Sequence, residues 1–592
     1  MAEFRLLIRH LGRFRLVALA EAVAVGLETA LELSIPLLMA GIIDEGIATG
    51  DIGYIARQGA LMLLCALLAL GLGLAHARLI SILANGLGSS LRLAEYERVQ
   101  DFAFENLDRY QTSSLVTRLT TDITVIQNAV TNGFRPLVRS PLMLILGLFY
   151  ACTLNRELAG VFLCTLPVLG IALFLIVKRT APRYLTLQMA TDDLNGVVRE
   201  NLTAMRAVKA YVREDHRCQV FGRVNSELSD RGIDTFSSAV LNHPVLQASL
   251  YTTAVLVLWF GGQMILAGTL HVGELTGFMS YLLQIMNSLM MISNVFLQLT
   301  RALTSARRIA EVLEEEPKIE GPADSIAMKA VPDGSVSFSH VNFRYSEGAE
   351  QDVLNDISFS IPSGSTVGIL GGTGSGKSSL VQLIARLYDA DAGVVSVGGC
   401  DVRSYDLAVL RDAVGIALQK NVLFTGTVRD NLRWGAPDAS DAELLRACEL
   451  ACADEFLDRI GGLDGDVGQG GDRVSGGQKQ RLCIARTLLK HPRVLIFDDS
   501  TSAVDMATEA TIRRNLASIK DATTIIIAQR ITSVMEADCI YVLDDGRVHG
   551  CGTHAELLER DNIYQEIYAS QMEFAKADQG LRESEGEAVK HA

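Results

Sequence analysis

The chain has 592 residues, 49% of them apolar, and a formal net charge of −15; the length calls for more than one domain, and the apolar share exceeds that of ordinary soluble proteins. The acidic balance argues against a nucleic-acid partner, which needs a basic face. Ten cysteines lie scattered without disulfide-like spacing, which excludes a disulfide-framed secreted domain.

Charge is unevenly placed. Residues 1–318 balance their basic and acidic side chains, so the whole net charge lies in the remainder. A neutral apolar half followed by an acidic half predicts a membrane domain over 1–318, a soluble domain over 319–574 and a disordered tail over 575–592.

Residues 3–14 set Arg5, Arg9 and Arg13 among Phe4, Leu6, Leu7, Leu11 and Phe14, the pattern of a basic amphipathic helix on a membrane surface. Six apolar spans follow, near 15–43, 58–82, 134–154, 157–178, 245–268 and 273–299, each reaching the roughly 20 residues a bilayer requires. The short loops after spans one, three and five carry Asp44, Glu45, Asp51, Arg156 and Glu157. The long loops after spans two and four are rich in arginine, among them Arg92, Arg98, Arg109, Arg118, Arg135 and Arg139 in the first. The bias of basic residues toward the inner face puts the long loops, both termini and the acidic half in the cytosol. Helical periodicity persists through both long loops, which should extend the membrane helices as levers; a passive skirt is the plainer alternative.

Glu21, Glu28 and Glu32 share one face of the first span. A carboxylate at mid-bilayer is costly unless it faces protein or water. Two readings stand: Glu28 and Glu32 line a wet cavity that attracts cations, or Glu21 sits at the interface and the others bond neighbouring helices. In the sixth span Gln284, Asn287, Met291, Asn294 and Gln298 form a polar stripe beside Met279, Met286 and Met290. Such faces suit a site that repacks around different ligands, and equally suit helix packing.

The acidic half opens with a strand over 335–345 that ends at Tyr345, an aromatic placed to stack on a base. Gly371-Gly372-Thr373-Gly374-Ser375-Gly376-Lys377-Ser378 fits G-x-x-x-x-G-K-[ST] between a buried strand and a helix beginning at Ser379. Its glycines let backbone N–H groups wrap a polyphosphate, Lys377 reaches the outer phosphates, and Ser378 can hold Mg²⁺. Cys448 and Cys452, four apart on a predicted helix, read as a reduced core pair. Ser475-Gly476-Gly477-Gln478 opens another helix as a second phosphate cradle. Val494–Asp498 is a buried strand tipped by an acid, which in P-loop proteins completes the Mg²⁺ shell.

In these ordered motifs the sequence resembles the ATP-binding cassette (ABC) exporters of half-transporter type, over nearly its whole length. The resemblance implies a polytopic α-helical membrane domain of six transmembrane helices fused to an α/β P-loop ATPase cassette. It makes Tyr345 the adenine-stacking aromatic, residues 371–378 with Ser379 the phosphate site, and Gln419 a Mg²⁺-sensing glutamine beside Ser378 and Asp498. Ser475, Gly476, Gly477 and Gln478 become a signature that caps the nucleotide of a partner chain. Ser502-Ala503-Val504-Asp505 resembles the D-loop, and Ser114–Asp122 and Glu200–Ala210 resemble loops that bear coupling helices. Two positions depart from the family: Asp499 stands where a catalytic glutamate is expected, and Gln529 where a switch histidine is expected. Gln469 and Gly470 replace a Glu-Arg pair common before the signature. The pattern implies a degenerate, slowly hydrolysing ATP site in one half of a bacterial heterodimeric multidrug exporter, embedded in plasma-membrane lipid and moving small amphipathic compounds. The alternatives are a lipid or peptide exporter, a slow homodimeric pump, or a nucleotide-gated regulator.

Overall fold

A backbone crossing hydrocarbon must satisfy its own polar groups, so the apolar half is helical throughout. The computed structural model describes residues 9–323, 327–345, 351–500 and 503–572. Two compact units emerge: residues up to Gln100 with Thr112–Glu315, and Asp101–Gln111 with the chain from Glu316 onward.

The first unit contains α1 (Arg15–Gly41), α2 (Ile52–Gln100) and, after the break described below, further long helices. Among the described residues five helical stretches are long and apolar enough to cross a membrane: Ile52–Gln100, Thr112–Leu154, Arg156–Thr203, Glu214–Leu266 and Val272–Ile292. α1, at 27 residues, spans about 40 Å, enough in length to cross a bilayer, and carries Glu21, Glu28 and Glu32. α2, at 49 residues, is about 74 Å long and outruns any bilayer, as the lever reading required. The expected surface helix over 3–14 is helical from Arg9 on; its earlier residues lie outside the described ones, as does the tail predicted over 575–592.

The second unit begins inside the first. α3 (Phe104–Arg109) interrupts the long loop after α2 and belongs with the cassette. Buried Asn106 fixes it there: its amide donates to the Glu316 carbonyl at 3.0 Å, and its oxygen accepts from the Lys318 N–H at 3.0 Å. Phe104 lies edge-on to Tyr388, whose hydroxyl donates to Asp108 at 2.6 Å. The segment that resembled a coupling loop, Ser114–Asp122, lies elsewhere. It stays in the first unit, where Ser305 donates to Asp122 at 2.9 Å and Arg118 bonds Glu311 at 3.2 Å.

Three further helices bear on the site: α4 (Ile123–Leu154), α5 (Arg156–Thr203) and α6 (Val272–Glu314). The three glutamates of α1 are all paired. Glu21 meets His76 of α2, Glu28 accepts from Arg135 of α4 at 2.6 Å, and Glu32 pairs with Arg139 of α4. Arg135 and Arg139, counted with the cytosolic loop from the sequence, sit inside α4 and neutralise α1. Asp44 accepts from the N–H groups of Gly273 and Glu274 at 2.6 and 3.0 Å, capping α6 from another element.

The cassette carries two sheets. One orders β2 (Leu354–Ile361), β1 (Val336–Phe343), β4 (Ala392–Val397) and β5 (Cys400–Asp401). The other orders β10 (Arg547–Gly552), β9 (Cys539–Asp544), β3 (Thr366–Gly371), β8 (Thr523–Ala528), β7 (Val494–Asp498) and β6 (Val414–Ala417). From β9 to β6 this sheet is parallel, and β7 is buried at every residue, which explains its unbroken apolar run. Cys448 and Cys452 are buried and free, although the helix carrying Cys448 ends at Leu450.

Removing one member of a buried pair strands the other's charge. Glu28→Ala should destabilise the membrane unit by about 3 kcal/mol. Glu28→Ala with Arg135→Ala should cost clearly less than the sum of the single changes, read as thermal unfolding in detergent.

Candidate nucleotide site and membrane cavity

The C-terminal ends of β3, β8 and β7 lie level: Leu370 pairs with Ala528, and Ile527 pairs with Asp498. The residues that follow each strand therefore emerge on one edge, where open parallel sheets bind ligands. They enclose a cavity of about 290 Å³ lined by Tyr345, Thr373, Gly374, Gly376, Lys377, Ser378, Ser379, Gln419, Asp498, Asp499 and Gln529, with Val353 and Ile527. Val353 and Ile527 carry no sequence signal; one precedes β2 and the other lies one residue before the end of the buried β8.

The loop from Gly371 to Gly376 turns into α7 (Lys377–Ile384), with Gly376 at φ +91°. A side chain there would be strained, and its Cβ would meet Leu354 at 2.6 Å and the Val353 carbonyl at 2.9 Å. Lys377 folds over the loop: its ammonium donates to the carbonyls of Gly371 and Gly372 at 2.9 and 2.6 Å. Ser375 donates to the Gly372 carbonyl at 2.9 Å. Gly371, Gly372 and Ser375 thus shape the loop from behind without lining the cavity.

Ser378 donates to Asp498 at 2.9 Å. With Gln419 lining the same cavity, a hydroxyl, a carboxylate and an amide oxygen are available to it, a hard oxygen set that suits Mg²⁺. Burial pushes both Asp498 and Asp499 above the ordinary carboxylate range, and burial lowers Lys377 against the pull of those two acids. Protonation of Asp498 at acid pH would remove the charge that holds a cation, so this site favours neutral pH.

The two departures from the family touch. The amide of Gln529 donates to Asp499 at 3.2 Å. Asp499 sits at φ +47°, and Gln571 grips the Gln529 carbonyl at 2.8 Å from beyond the last strand. Tyr345 closes the opposite end, its hydroxyl bonded to Ser379 at 2.7 Å and its ring 5.2 Å from Tyr388.

Ser475, Gly476, Gly477 and Gln478 do not line this cavity. Ser475 caps α8 (Gly476–Leu488), its hydroxyl accepting from the Gln478 N–H while the Gln478 side chain accepts from the Ser475 N–H at 2.8 Å. Ser475 and Gly476 are exposed, so this cradle is open to solvent and takes no part in its own chain's cavity. Gln469 and Gly470 lie in a tight turn with Gly470 at φ +62°. Of the D-loop, Ser502 lies outside the described residues and Asp505 caps the next helix.

In the membrane unit, Glu32, Gln284, Asn287 and Met291 line one cavity of about 690 Å³, together with Arg139. Glu28 does not join them. It is buried against Arg135, so the reading of Glu28 and Glu32 as free anionic walls gives way to interhelical pairing. The side chain of Asn294 lies outside the described residues.

The family described as ABC transporter transmembrane region matches residues 22–289, and that described as ABC transporter matches residues 354–502. YfiB, an ABC transporter ATP-binding protein of Bacillus subtilis, is 35% identical over 548 residues, 92% of this chain and 94% of its own length. An ABC transporter ATP-binding protein of Mycobacterium tuberculosis is 36% identical over 578 residues, 96% of this chain and 98% of its own. Among solved structures, that of a bacterial Atm1-family ABC exporter with ATP bound shares the fold, with a TM-score of 0.78 at 24% identity over 95% of this chain and 98% of that one.

Base stacking on an aromatic is worth about 1–3 kcal/mol. Tyr345→Ala should therefore weaken binding of a fluorescent ATP analogue roughly tenfold. Tyr345→Phe, which keeps the ring and loses only the hydroxyl's bonds to Ser379 and Gln382, should stay near wild type.

Proposed function

Because the chain belongs to the ABC transporter family, with a transmembrane region and an ATPase cassette fused in one polypeptide, we propose that it is the degenerate-site half of a heterodimeric, ATP-driven exporter of amphipathic compounds in a bacterial plasma membrane. The Gln529–Asp499 contact carries this reading. A glutamate after β7 would reach a water in line with the γ-phosphate and accept its proton. Asp499 is one methylene shorter, and one of its oxygens is taken by the Gln529 amide. Misplacing a reacting group by about 1 Å can cost on the order of 100-fold in rate. Gln529 can donate a hydrogen bond to a phosphate but cannot carry a positive charge to it.

Binding groups are intact by the same geometry. The N–H groups of the loop ending at Gly376 cradle phosphates, Lys377 exchanges its carbonyl partners for phosphate oxygens, and Tyr345 stacks on adenine. Ser378, Gln419 and Asp498 would hold Mg²⁺, which when bound shields the charge shared by the outer phosphates. This half then keeps its nucleotide for long intervals. Turnover falls to the partner's site, capped by Ser475, Gly476 and Gly477 of this chain. The exposure of that cradle supports its use in trans.

ATPase activity in lipid tests the scheme, first on the chain alone and then with a partner half carrying glutamate and histidine at the two altered positions. Little turnover alone and robust turnover together is the expected result; robust turnover alone would sink the degenerate-site reading. Asp499→Glu or Gln529→His singly should leave the chain's own rate within about threefold, and the two together should raise it on the order of 10- to 100-fold.

A further inference from the structure

The cavity between α1, α4 and α6 holds about 690 Å³, within the range of small-molecule sites. Its charged lining residues are Glu32 and Arg139, bonded to each other. Their side chains are 30% and 17% exposed, so the pair can be reached from the cavity. A lone cation gains little from Glu32, whose charge Arg139 already compensates, and a lone anion gains as little from Arg139. A ligand bearing both charges can replace both partners at once, its cationic group taking Glu32 and its anionic group taking Arg139, with no charge left bare.

Two buried atoms of the lining residues, on α6 and α4, point the same way. Among the described residues Gln284 Oε1 and Arg139 Nε have no hydrogen-bond partner, one an acceptor and one a donor. Unpaired buried polar atoms are uncommon and call for a water or a ligand. Beside them Met143, Met290 and Met291 offer deformable apolar surface. The geometry points to a zwitterionic amphiphile as the substrate class: a head joining a fixed ammonium to a phosphate or carboxylate, on an alkyl or acyl tail. This deepens, and rests on, the reading of the chain as an exporter of amphipathic compounds.

The test uses the full chain with its partner half in phosphatidylglycerol vesicles, so that the bilayer offers no zwitterionic head. ATPase stimulation is measured with three amphiphiles of equal tail length below their micellar concentrations: an alkylphosphocholine, an alkyltrimethylammonium and an alkyl sulfate. The alkylphosphocholine should act at about one tenth the concentration of either singly charged compound. Arg139→Gln should shift preference to the ammonium compound and Glu32→Gln to the sulfate. The double variant, which strands no charge, should fold as wild type and lose the discrimination. A wild type that prefers a singly charged compound, or an order of preference that Arg139→Gln and Glu32→Gln leave unchanged, would overturn the zwitterion assignment alone. Failure of all three compounds to stimulate an ATPase that still binds and turns over ATP would instead remove the exporter reading and this inference with it.

Discussion

Three parallel strands that stop level with one another decide where everything in the cassette happens. β3, β8 and β7 are in register, so the chain leaves each on the same edge and has one place to put the loop before Lys377, the pair Asp498 and Asp499, and Gln529. β8 lies between the other two, which seats Gln529 between the phosphate loop and the acids. The contacts that join these strand ends to one another are long-range in sequence. Ser378 and Asp498 stand 120 positions apart, and Asp499 and Gln529 stand 30 apart.

The membrane half obeys a different constraint, the cost of charge away from water. α1 meets it by spending each carboxylate on a base from a neighbour: His76, Arg135 and Arg139. The spacing of 107 residues separates both Glu–Arg pairs, so α1 and α4 run side by side in one register over at least the turn between them. Such pairing adds little net stability over an apolar seam, yet it punishes any slippage of one helix along the other.

The nucleotide cavity was legible in the sequence because its groups follow strands whose apolar runs and flanking glycines declare themselves. Tyr345, Lys377, Ser378, Gln419, Asp498, Asp499 and Gln529 do meet in one cavity. The glutamates of α1 were visible, but their partners were not. A helical period says which residues share a face and nothing about which helix that face meets, so Arg135 and Arg139 read as cytosolic. α3 escaped for another reason: six residues give no period to read, and what ties it to the cassette is a set of long-range contacts by Phe104, Asn106 and Asp108. The signature cradle could be located but not assigned to a chain from periodicity; its exposure and its absence from its own cavity are three-dimensional facts.

α3 also bears on how the protein is made. Asp108 reaches the ribosome exit 280 residues before Tyr388, the side chain that bonds it. At roughly 5–20 residues per second that is an interval of about 14 to 56 s. Throughout it Phe104 and Asn106, apolar or amide groups destined for burial, have no cassette to enter. Meanwhile α4, α5 and α6 must insert into the bilayer around the gap. The contacts of α3 to the cassette are therefore made late by a piece that arrives first and waits. A cassette produced from Glu316 onward would lack that piece and its contacts to Tyr388, which makes biogenesis of this half a two-ended closure rather than the sequential addition of one domain to another.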